Sequence, residues 1–144
     1  VIAKITLNPE QLREALRIPL CLNDGIPAGT PESLDDEDRE VIDLNDQLIN
    51  NPDDTYGLTV YGDSMDEDEI HSGDLILVDR LTSAKADSIV VVDVDGGLTV
   101  KKFSMVGNRL FLIPGNRNYQ PKEISREQRC EIWGVVTYVI HKKF

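Results

Sequence analysis

Apolar residues beyond about residue 55 come in short runs separated by turn-forming residues. Leu75-Ile76-Leu77-Val78 is unbroken between Asp74 and Asp79, the pattern of a strand buried on both faces. Ser88–Asp95 and Leu98–Phe103 flank Gly96-Gly97, which predicts a β-hairpin. Tyr56–Tyr61 is short and rich in β-prone residues. Arg109–Ile113 stops at the turn cluster Pro114-Gly115-Asn116. Glu131–His141 reads as a long last strand carrying Trp133, Val135, Val136, Tyr138, Val139 and Ile140. Short strands at regular spacing predict a compact, mostly-β domain over residues 44–144.

The first 43 residues have a different texture. Pro9–Leu16 predicts a short helix, with Asn8 as N-cap and Pro9 in the first helical position. It is too short to form a DNA-binding helix-turn-helix. Residues 29–43, GTPESLDDEDREVID, are dense in carboxylates and poor in apolar groups, so they read as a solvated, flexible connector. Residues 1–28 are then an N-terminal arm. A second short helix is expected over Leu44–Asn50.

Charge narrows the function classes. The chain has 26 acidic and 15 basic residues, a net charge of −11. Nonspecific nucleic-acid binding relies on lysine and arginine neutralising phosphates, so direct DNA binding is not expected. The apolar runs are far shorter than a membrane span and no secretory leader pattern opens the chain, which points to the cytosol. Cys21 and Cys130 are far apart and form no CxxC pair, so they read as small buried or half-buried side chains. His71 and His141 are 70 positions apart. That spacing gives no sign of a histidine triad or a metal site, and no cofactor is expected either.

The chemistry concentrates in two places. Gly62-Asp63-Ser64-Met65 follows a strand and opens a polar segment that ends at Gly73. Thr99-Val100-Lys101-Lys102 lies on the second arm of the hairpin. Alone, a loop serine is a turn residue and a strand lysine a solvated edge. Together they can do more. A serine hydroxyl needs a base, and lysine serves as one only when neutral. Its reference pKa is about 10.4, and burial can lower it by up to ~3–5 units. Adjacent strand residues face opposite ways, so one of Lys101 and Lys102 can be buried beside Ser64 while the other is solvated. The pattern alone does not choose between them. Asp66-Glu67-Asp68-Glu69 reads as a solvated loop. Acids beside a neutral lysine would raise its pKa, so the chemistry requires them to face outward.

The strings YGDSM, SGDLILVDR and VDGGLTVKKF, in this order, resemble the serine–lysine self-cleaving peptidase domain shared by UmuD, the LexA repressor and phage repressors. The 37-position interval from Ser64 to Lys101 is the one this family uses. IDLNDQLI before the serine and LIPGNRNYQP after the lysine extend the resemblance over most of residues 42–140. It implies a LexA-like fold, with Ser64 as nucleophile and Lys101 as its base. Backbone N–H groups of Ser64 and Asp63 would hold the oxyanion.

Such proteins cut their own chain before the catalytic domain, and Ala28-Gly29 offers a small residue followed by Gly. Asp24-Gly25 is the rival bond, at the cost of a four-residue insertion. The family's aromatic residue after that Gly is Thr30 here. The short arm favours a UmuD-like role. The resemblance then implies a homodimer, stimulation by the RecA filament on single-stranded DNA, and work with a UmuC-type translesion polymerase. A LexA-like or phage-repressor fragment and a non-catalytic binding module are the competing readings. Signal peptidases also pair Ser with Lys, but a membrane anchor is the mark of that class.

Overall fold

The computed structural model describes residues 17–21, 28 and 39–144. They fall in two units, Val1–Asn50 and Asn51–Phe144. In the first, β1 (Arg17–Cys21) pairs antiparallel with β2 (Arg39–Asp43), and α1 (Leu44–Leu48) follows. Asp43 caps α1, its carboxylate accepting from Asn45 N at 2.9 Å. The end of the acidic stretch is therefore strand, not connector. Pro19 suits a two-stranded ribbon, where every strand is an edge and a missing N–H need leave nothing unpaired. The helix expected over Pro9–Leu16 lies outside the described residues.

The second unit is one seven-stranded antiparallel sheet in the order β3-β4-β9-β5-β6-β7-β8. Its strands are β3 (Thr55–Thr59), β4 (Leu75–Asp79), β5 (Ile89–Val94), β6 (Gly97–Val106), β7 (Arg109–Ile113), β8 (Lys122–Ile124) and β9 (Cys130–Ile140). The long last strand runs through the middle, between β4 and β5. The mostly-β fold anticipated from the sequence is the one observed.

Two apolar clusters flank this sheet. Val91 packs with Val60, Met65, Ile70, Ile76 and Val78, whereas Val90 and Val92 pack with Leu112 and Val135. Alternate residues of β5 thus serve opposite cores, which is why its sequence is unbroken valine instead of an in-out alternation. The β5–β6 turn sits one residue earlier than the glycine pair suggests. Asp95 and Gly96, at φ +51° and +90°, form the two-residue loop, and Gly97 already pairs with Val94. Two positive φ values in succession are what a right-twisted hairpin requires of its turn. Among the described residues no helix is long and apolar enough to cross a membrane.

Candidate functional site

The loop from Val60 to Asp74 is closed at its base and anchored in the middle. Val60 N donates to Asp74 O at 2.9 Å and Gly73 N to Val60 O at 2.8 Å, so the loop leaves and rejoins the sheet at one point. Met65 and Ile70 are 2% and 0% exposed and plug into the first core. Burying both restrains the segment between them. Asp66–Asp68 makes one 3-10 turn, closed by Glu69 at φ +60°. Ser64 is half-buried at the head of this anchored segment.

Residues 115–119 hold the turn from the other side. Asn116 Nδ2 donates to Asp63 O at 2.8 Å, and the Tyr119 hydroxyl donates to Asp63 Oδ1 at 2.6 Å. Glu67 N donates to Gly115 O, and Gly115 N approaches Met65 Sδ at 3.2 Å. Among the described residues no acceptor is bonded to the backbone N–H of Asp63 or Ser64.

The structure brings Lys101 to Ser64. The hairpin register sets Lys101 opposite Val90 and Val100 opposite Val91. Lys101 Nζ lies 2.9 Å from Ser64 Oγ, 3.2 Å from Thr99 Oγ1 and 2.9 Å from Val100 O. Burial lowers the pKa of this amine from its ordinary value, and no neighbouring charge contributes to the shift. Three oxygens suit both protonation states. An ammonium donates to all three. A neutral amine can donate to Thr99 and Val100, which leaves its lone pair facing the Ser64 hydroxyl.

The acidic run is not merely a solvated loop. Lys102 Nζ pairs with Asp68 Oδ1 at 2.7 Å, and Arg117 Nε with Glu67 Oε1 at 2.7 Å. Lys102, anticipated as solvated, is instead largely covered, with 29% of its side chain exposed.

Beside Ser64 runs a groove of about 370 Å³. Val60, Met65, Ile76, Val91 and Val100 supply apolar wall, and the exposed side chains of Tyr61 and Leu98 stand at its margin. Ala28 is an exposed bend, and Gly29, Asp24 and Gly25 lie outside the described residues.

Several contributors escaped sequence reasoning. Thr99 was legible, because it sits two residues before Lys101 on one strand and so shares its face. Asn116 and Tyr119 carry no spacing signal, since their role depends on how the loop after β7 folds back. His71 and His141 do meet. The β4–β9 register pairs Leu75 with Ile140, so Asp74 and His141 fall side by side just beyond it. Cys130 is half-buried, as anticipated, and the side chain of Cys21 lies outside the described residues.

Comparison with known proteins identifies a family for the chain. Residues 20–137 match the model of a family described as Peptidase S24-like. Protein SamA of Salmonella typhimurium is 37% identical over 93% of this chain and 92% of its own length. Protein MucA of Escherichia coli is 35% identical over 78% of this chain and 77% of its own. LexA repressor 2 of Pseudomonas syringae pv. tomato is 34% identical over 95% of this chain and 66% of its own.

Proposed function

Because the chain belongs to the Peptidase S24-like family, we propose that it is a UmuD-like self-cleaving serine peptidase with Ser64 as nucleophile and Lys101 as base. The observation that carries this reading is the 2.9 Å approach of a desolvated amine to the Ser64 hydroxyl.

The chemistry follows from that contact. Neutral Lys101 takes the Ser64 proton as Oγ bonds to the Ala28 carbonyl carbon. The carbonyl oxygen becomes an oxyanion, and the N–H groups of Ser64 and Asp63 donate to it. The Lys101 ammonium then returns the proton to the Gly29 nitrogen as the Ala28–Gly29 bond breaks. An ester between Ser64 and Ala28 remains. Water, deprotonated by Lys101, hydrolyses it, and Ser64 regains its hydroxyl. The apolar groove beside Ser64 accommodates the small residues around the bond.

Loss of residues 1–28 frees the remainder to act as a homodimer with a UmuC-type translesion polymerase in the cytosol. The RecA filament on single-stranded DNA promotes the cut by favouring the docked arm. Apolar groups on and beside β9, at Tyr138, Val139, Ile140 and Leu75, are 37–42% exposed and support pairing with a second copy. The role in DNA-damage mutagenesis rests on the family resemblance and on the relatives described above.

Incubation of the purified intact chain at rising pH, followed by mass spectrometry, tests the proposal. Two fragments parting between Ala28 and Gly29 are expected, forming faster at alkaline pH and absent in Ser64→Ala. Fragments parting between Asp24 and Gly25 would move the bond and keep the mechanism. A chain that stays whole near about pH 10, where even an ordinary lysine starts to lose its proton, and also with RecA, ATP and single-stranded DNA, refutes self-cleavage. The non-catalytic reading then stands, and under it Ser64→Ala leaves the biological effect unchanged.

A further inference from the structure

At the end of the β4–β9 pair, away from the Ser64–Lys101 contact in sequence and in hydrogen bonding, two histidines converge on one carboxylate. Asp74 is 2% exposed, a burial carboxylates tolerate only with partners. His141 Nδ1 lies 2.5 Å from Asp74 Oδ1, and His71 Nδ1 lies 3.8 Å from Asp74 Oδ2. The imidazole centroids are 5.7 Å apart and tilted at 55°, so the rings converge without stacking face to face. One ligand atom from each residue lies within 4.8 Å of the other two.

We propose that His71, Asp74 and His141 form a binding site for one divalent transition-metal ion of the zinc class. Two imidazole nitrogens and one carboxylate oxygen are a donor set that suits zinc, nickel or copper. Magnesium and calcium prefer all-oxygen sites. Bonds of about 2.0–2.2 Å in a tetrahedron place ligand atoms roughly 3.3 Å apart. His141 Nδ1 and Asp74 Oδ1 must therefore part by roughly 0.8 Å on binding, while the more distant atoms draw in by up to about 1.5 Å. The histidines can supply that movement, because their side chains are 49% and 48% exposed and free to rotate. The carboxylate is the fixed point. Its Oδ2 accepts from His71 N at 2.8 Å, the kind of outer contact that orients a metal ligand. The ion takes the place of the His141–Asp74 hydrogen bond, and water completes the fourth position.

The site joins parts of the chain that are 70 positions apart in sequence. It clasps the end of β9 to the turn before β4, and through the Val60–Asp74 bond it steadies the loop that carries Ser64. The proposal does not depend on self-cleavage. Its test uses the untagged full chain as Ser64→Ala, which stays whole, with Cys21→Ser and Cys130→Ser to remove thiolate competitors.

Calorimetric titration with zinc chloride is expected to show one saturable site per chain. His71→Ala and His141→Ala should each weaken binding by more than about tenfold, since even outer partners of a metal are worth about 10–100-fold. Cobalt chloride should give the visible bands of a four-coordinate site without thiolate charge transfer. Zinc should raise the thermal midpoint of the parent and not of the double histidine variant. Because both histidines are half-exposed, their loss leaves the fold standing where Asp74→Asn could disturb it. No saturable uptake below about 1 mM zinc, the threshold of weak association, overturns the proposal. So does equal uptake by the parent and the double variant.

Discussion

Lys101 is the residue whose environment is most at odds with its chemistry. Its amine ionises below the ordinary 10.5 because burial penalises the charge. Between that lowered value and 10.5 the folded state holds fewer protons than the unfolded chain, so stability rises with pH across this window. Below it both states are charged and the burial penalty is felt in full. Lys101→Met therefore stabilises the protein most at neutral and acidic pH. The gain is of order 1 kcal/mol, kept small by the amine's partial exposure to solvent, and fades toward pH 10.5. Urea midpoints at a series of pH values measure it. A gain independent of pH would mean that the amine titrates normally. Lys101→Arg, which stays charged, should slow self-cleavage by about 10²–10⁴-fold, the usual worth of a general base. Asp79 shows the opposite balance. Burial alone would raise its pKa, but hydrogen bonds from Asn51, Leu81 N and Thr82 outweigh burial and hold it below 3.8. Its contribution is complete above the unfolded value and is lost as pH falls through the lowered one. Asp79→Ala removes the part-buried hydrogen bonds from Asn51, Leu81 N and Thr82 and should cost about 1–3 kcal/mol, read from the shift in urea midpoint at neutral pH.

Among the elements, the strands with apolar or β-prone runs were legible, and those without them were not. β4, β5, β7 and β9 follow from runs of Leu, Ile and Val, because packing on both faces selects for such runs. β8 is only Lys-Glu-Ile and has no pattern to read. It exists because β7 offers it an edge, reinforced by the paired contacts of Arg109 with Glu123 at 2.7 and 2.6 Å. β1 and β2 hide for the same reason, one broken by a proline and the other lying in an acidic stretch. The candidate site was half legible. Ser64 and Lys101 stood out by motif and interval, whereas the loop holding Asp63 and the ion pairs on Asp68 and Glu67 depend on tertiary folding. Sequence order misled most at the histidines, since only the central placement of β9 makes residues 70 apart neighbours. One glycine sustains that placement. A Cβ on Gly134 would lie 2.6 Å from Val78 Cγ1 and 3.2 Å from the Asp79 carbonyl oxygen, so β9 can lie flat against β4 only without a side chain there. Gly134→Ala should destabilise the sheet by about 1–3 kcal/mol through overpacking, seen as a lower thermal midpoint. An unchanged midpoint would show that the β4–β9 contact is looser than the structure describes.

For the whole molecule, the decisive physical quantity is the tether between the proposed bond and its nucleophile. Ala28 and Ser64 belong to one chain, 36 positions apart. A covalent link of this length presents the bond at a local concentration of order millimolar, far above the micromolar level of the protein in a test tube. A modest dyad can then be sufficient, because proximity supplies what an external substrate would need binding contacts to provide. The same reasoning fixes the kinetic order. If the arm reaches its own Ser64, the fraction cleaved per unit time is the same at every protein concentration. If the arm reaches only another molecule, the rate falls in proportion to dilution. The net charge of −11 sharpens the contrast, since like-charged chains repel and encounters between them slow further at low salt. The expected outcome is a first-order rate that stays constant over about a hundredfold dilution and changes little with salt. A rate that drops with dilution and recovers with added salt would show that the chain is cut by its neighbour. Adding unmodified protein to isotope-labelled Ser64→Ala chains separates the two routes directly: the labelled arm stays intact if each molecule serves only itself and is lost if chains serve one another.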